Sequence, residues 1–99
     1  MKKAEALSRL AQHADELRRD FGVEHISIFG SVARDEAGAE SDVDVLVDFE
    51  PDAHIGLFGF ARLKERLETI LTARVDLTTR AALKKELKDR ILGESIRAA

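Results

Sequence analysis

The chain has 99 residues, 44% of them hydrophobic and 35% charged, with a net charge of −3 and no cysteine. That length makes a single small domain over residues 1–99, with no room for a second core. The missing cysteine excludes disulfides, thiolate zinc sites and thiol catalysis, and the acidic balance argues against general nucleic-acid binding, which brings a basic excess.

The chain opens on Met1-Lys2-Lys3 and then mixes charged and apolar residues. No apolar run there resembles a signal-peptide core, and nothing is long enough to span a bilayer, so a cytoplasmic protein is expected. Leu7, Leu10, Ala14, Leu17 and Phe21 recur at helical intervals, which predicts one amphipathic helix stopped by Gly22. Ile26, Ile28 and Phe29 form a first strand. Val32 to Glu36 then makes a brief helix with Ser31 as N-cap, and residues 37–41 a loop. Asp42 to Phe49 reads as the second strand, ended by Pro51.

A long helix is predicted over Ile55 to Leu71, burying Phe60, Leu63, Leu67, Ile70 and Leu71, with Gly56 and Gly59 weakening its first turns. Val75 to Thr78 is a third strand. Ala81 to Leu92 is a last helix with Leu83, Leu87 and Ile91 inward, interrupted by Gly93. The tail from Glu94 to Ala99 fits either frayed helix or a short added strand. The expected fold is an α/β (α+β) domain: a small mixed sheet, helices packed on one face, and acids on the other.

The chemistry gathers in three places. Gly30-Ser31 follows the first strand, Asp42 and Asp44 stand two apart in the second, and Asp76 lies in the third. A strand alternates faces, so Asp42 and Asp44 share one side while Val43, Val45, Val47 and Phe49 take the other. Like charges about 6–7 Å apart repel, and such a pair is tolerable when solvated or bridged by a cation. A Gly-Ser turn that opens a helix presents N–H groups to phosphate. Acid pair and cradle together point to a metal–nucleotide site.

Gly30-Ser31, the spacer with Arg34, and Asp42-x-Asp44 resemble the nucleotidyltransferase signature of the DNA polymerase beta superfamily, in the form of its minimal nucleotidyltransferase (MNT) branch. Members of that branch are often encoded beside a HEPN-domain toxin as its antitoxin. The resemblance implies a polymerase-beta-like nucleotidyltransferase fold and Mg²⁺-dependent transfer of AMP from ATP. Asp42, Asp44 and Asp76 would be the catalytic and metal-binding residues, holding one or two Mg²⁺ ions, with Asp76 also helping to activate the attacking hydroxyl as a base. Gly30, Ser31 and Arg34 would bind the nucleotide. Arg34 is placed equally well for phosphate and for a surface ion pair.

Larger relatives carry an extra domain for the acceptor, so the expected acceptor is a hydroxyl of a partner protein, a HEPN toxin. The alternative is a non-catalytic antitoxin that neutralises its partner by binding, and transfer to a small molecule is disfavoured. His13, His25 and His54 show no metal-ligand spacing. Arg80, Lys84 and Lys88 are expected as a solvated basic stripe along the last helix, and Asp48, Glu50 and Asp52 as an acidic edge. Leu57, Phe58 and Phe60 read as core first.

Overall fold

The computed structural model describes residues 1–38 and 40–99; Ala39, in the loop predicted over 37–41, lies outside them. Two helices, α1 (Lys3–Gln12) and α2 (Ala14–Phe21), lead into β1 (Val23–Phe29) and the one-turn α3 (Gly30–Ala33). β2 (Val43–Phe49), α4 (Leu57–Leu71) and β3 (Val75–Thr79) follow, then a 3₁₀ turn over Arg80–Ala82, α5 (Lys85–Glu94) and β4 (Ile96–Arg97). The four strands form one mixed sheet in the order β3-β2-β1-β4, with β2 parallel to β3 and β1 antiparallel to both β2 and β4.

The core follows from the two periodicities. Val43, Val45 and Val47 are fully buried at alternate positions of β2, as are Ile26 and Ile28 of β1. They meet Ala6 and Leu10 of α1, Leu17 of α2, and Leu63, Leu67, Ile70 and Leu71 of α4. Each fully buried Leu or Ile contributes about 1.5–3 kcal/mol relative to exposure. This layer positions the sheet, so the register of β1, β2 and β3 decides what assembles on its opposite face.

Several expectations need correcting. The leading helix is two helices, because His13 Nδ1 bonds the Arg9 carbonyl at 2.8 Å and the His13 N–H turns to the Leu10 carbonyl at 3.2 Å instead. Ser31 is not an N-cap but lies inside α3, which begins at Gly30 after an extended Phe29. Leu57 and Phe58 are not core: they are 81% and 79% exposed, since the chain before α4 runs irregularly from the end of β2 and swings them outward.

The predicted last helix breaks at Leu83 and Lys84, both extended, because Thr79 Oγ1 accepts the Ala82 N–H and closes a separate 3₁₀ turn. Arg80 is thereby removed from any stripe with Lys84 and Lys88, and it pairs with Asp48 at 3.0 Å. Leu87 points outward at 43% exposure, and Gly93 sits within α5 rather than ending it. Of the two readings of the tail, the short strand is the one observed.

The acid-bearing face is not bare. Leu46 shares that face with Asp44 and Asp48 by alternation, yet it is only 2% exposed and lies outside the main core. Lys88 of α5 lines a shallow hollow with Asp48 and Arg80, so α5 comes round to this side while α1, α2 and α4 pack the other. Among the described residues, no helix is long and apolar enough to cross a membrane.

Candidate active site

The register of the three long strands builds the site. Asp44 lies opposite Phe29 of β1 on one side and opposite Asp76 of β3 on the other. Adjacent strands are about 4.8 Å apart, so the two carboxylates are neighbours although they are far apart in sequence. Phe29 delivers the chain to Gly30, whose φ is 72°. A Cβ at Gly30 would collide with the Asp44 carboxylate, so glycine is required there both for its left-handed conformation and for the close approach. The Gly-Ser turn and two of the three predicted acids are thus brought to one end of the sheet.

Asp44 is half-buried and its carboxylate accepts no hydrogen bond among the described residues. Burial pushes its pKa up, and the charges of Asp76 and then Asp42 push it further, with Arg34 opposing. Asp76 is exposed beside it. Asp42 stands just before β2 and is turned aside: its Oδ1 is 3.1 Å from Arg74 Nε, in a pair whose side chains are 50% and 76% exposed. Among the described residues, no group of three or more His, Asp or Glu is drawn together tightly enough to hold a metal ion. The donors nonetheless fit a hard dication. They are carboxylate oxygens, Asp44 has no hydrogen-bond partner among the described residues, and burial and then its like-charged neighbours raise its pKa.

Arg34 follows α3 and donates through Nε to Glu36 at 3.1 Å and through Nη1 to Glu94 at 2.9 Å. Arg34 is thus paired with one exposed acid, Glu36, and one part-buried acid, Glu94. Glu94 also accepts the Gly30 N–H at 3.2 Å. Sequence reasoning missed both Glu94 and Arg74. Glu94 is 64 residues from Gly30, and only its position in a short strand-forming tail hinted at a return to β1. A cavity of about 630 Å³ opens elsewhere, at the Gly22 end of β1 beside Glu50, Leu57 and Phe58, and includes none of the motif residues.

The sheet and its Gly-Ser turn are those of a nucleotidyltransferase, and the chain belongs to the nucleotidyltransferase domain family, whose model matches residues 10–98. It is therefore an enzyme of that class, in the minimal nucleotidyltransferase form. It is 45% identical over 89 residues to the protein adenylyltransferase MntA of Thermococcus cleftensis, covering 90% of this chain and 88% of that one. A solved structure described as a minimal nucleotidyltransferase superposes with a TM-score of 0.77 at 38% identity, over 97% of this chain and 95% of the other. The fold is shared too with the complex of a tri-AMPylated Shewanella oneidensis HEPN toxin and its MNT antitoxin. There the TM-score is 0.64 at 18% identity, over 94% and 71% of the two chains.

Proposed function

We propose that this chain transfers AMP from ATP to a hydroxyl of a partner protein, and that the partner is a HEPN toxin which the transfer neutralises. The observation that carries the reading is the juxtaposition of Asp44 with Asp76 on paired strands, against the Gly30 turn. The resemblance to an adenylyltransferase over most of both chains supports the choice of AMP and of a protein acceptor.

In the reaction the acceptor oxygen bonds to the α-phosphorus, the bond from that phosphorus to pyrophosphate breaks, and the hydroxyl proton passes to a base. Asp76, exposed at the edge of the site, is assigned that proton. Ser31 receives the triphosphate with its backbone N–H and hydroxyl, at the turn that Gly30 makes and whose own N–H is held by Glu94. Arg34 adds a cation near the same turn. Asp42, Asp44 and Asp76 would hold Mg²⁺, which when bound offsets the charge of the phosphates and of the leaving pyrophosphate. For Asp42 to take part it must leave Arg74, an exposed pair worth about 0–1 kcal/mol.

Purified chain, ATP and Mg²⁺ incubated with a co-expressed HEPN protein should add AMP to that protein, read by intact-mass spectrometry. Asp44→Asn and Asp76→Asn should each abolish the added mass. A partner that is neutralised without gaining mass would replace transfer by simple binding.

A further inference from the structure

Glu94 ends α5, and β4 immediately after it pairs with β1 at Ser27 and Ile28, which anchors the residue beside the Gly30 turn. One carboxylate then serves two groups. Its Oε1 accepts the Gly30 N–H at 3.2 Å, and its Oε2 accepts from Arg34 Nη1 at 2.9 Å. The Glu94 side chain is 22% exposed, so this contact is more shielded than an ordinary surface pair. With Nε already given to Glu36, the Arg34 guanidinium is held along two edges. Three of its five N–H donors remain uncommitted among the described residues.

We propose that Glu94 is a positioning residue for the triphosphate: it fixes the Gly30 turn and presents the free edge of Arg34 to an arriving anion. A long side chain ordered beforehand loses less freedom when it binds. The opposite role, an internal anion competing with phosphate, would require Glu94 to consume the donors a phosphate needs. It leaves most of Arg34 and the Ser31 hydroxyl untouched among the described residues. The inference rests on the nucleotide-binding reading above.

The test is calorimetric titration of ATP with Mg²⁺ into wild type, Glu94→Gln, Glu94→Ala, Arg34→Ala and the Arg34→Ala/Glu94→Gln double variant, with a thermal melt of each. Glu94→Gln keeps an acceptor for Gly30 and a similar shape, so it carries the test if Glu94→Ala unfolds. The expected result is a loss of ATP affinity of about tenfold in Glu94→Gln at a nearly unchanged melting temperature. The double variant should bind no more weakly than Arg34→Ala alone. Equal or tighter binding by Glu94→Gln overturns the proposal, tighter binding marking a competitor. A full additional loss on the Arg34→Ala background also overturns it, because Glu94 would then act elsewhere. A wild type that does not bind ATP overturns the nucleotide reading itself and this inference with it.

Discussion

Replacing Asp44 by Asn should stabilise the protein in the presence of a chelator. The carboxylate accepts no hydrogen bond among the described residues, is half-buried, and lies opposite Asp76 across a pair of strands. Two charges roughly 6 Å apart at an effective dielectric of about 40 repel by about 1.4 kcal/mol. Solvent and salt at a partly open site reduce that to roughly 0.5–1 kcal/mol. In a domain of this size that corresponds to an increase of about 2–5 °C in melting temperature.

The pH dependence follows from the raised pKa of Asp44. The native state holds this proton more tightly than the unfolded chain, so wild type gains stability relative to the variant as pH falls through the raised value. The advantage of Asp44→Asn should be full at neutral pH, shrink on acidification and vanish below the ordinary value of 3.8. Circular-dichroism melts of both proteins across pH, at low and high salt, measure it. A variant that melts below wild type at neutral pH would refute the reasoning, since the carboxylate would then be supporting the fold.

Gly30→Ala should lower the melting temperature by roughly 5–10 °C and abolish ATP binding, because the left-handed backbone costs about 1–2 kcal/mol and the new methyl displaces Asp44; unchanged melting and titration curves would show that the turn tolerates a side chain. Glu16 behaves oppositely to Asp44: its hydrogen bond from Arg66 holds its pKa below the ordinary 4.5, so that contribution is present above 4.5 and lost as pH falls through the lowered value. Glu16→Gln should therefore melt below wild type at neutral pH and converge with it in acid, as pH-dependent melts would reveal. Asp42→Asn should move the metal-free melting temperature by no more than about 5 °C, because its pair with Arg74 is exposed, and a larger fall would give that pair a structural role.

The parts legible in the sequence are those governed by a local period. Alternation in Val43–Phe49 identified both the buried valines and the face of Asp44, and helical spacing found Leu63, Leu67, Ile70 and Leu71. Asp44 and Asp76 are different. The sequence offered two acids in two short apolar runs, but their contact depends on a parallel register set after a 15-residue helix intervenes. The motif's resemblance supplied that step where spacing had no means to.

The misses are places where one side chain overrules the pattern. His13 takes a carbonyl that continuous helix would use, and Thr79 caps a turn that continuous helix would absorb. Leu57 and Phe58 carry apolar side chains into solvent, which no periodicity detects because hydrophobic residues are not confined to the interior. Glu94 was missed for the most general reason, that a tertiary contact across 60 residues shows locally only as a tail able to add a strand.

The charges around the turn also bear on how a nucleotide is admitted. Arg34 and Arg74 are each already facing acids, Arg34 between Glu36 and Glu94 and Arg74 against Asp42, while Asp44 and Asp76 lie opposite each other and neither forms an ion pair among the described residues. A triphosphate arriving alone adds negative charge to a rim that is already acidic, and the free edge of one arginine is a small counterweight. Held by Asp44 and Asp76, a divalent cation would reverse the sign of that encounter, since it would offset the charges of the two carboxylates and of the phosphate oxygens together. In the proposed function the cation is therefore part of what makes ATP a ligand, and Arg34, held ready by Glu94, contributes orientation more than attraction.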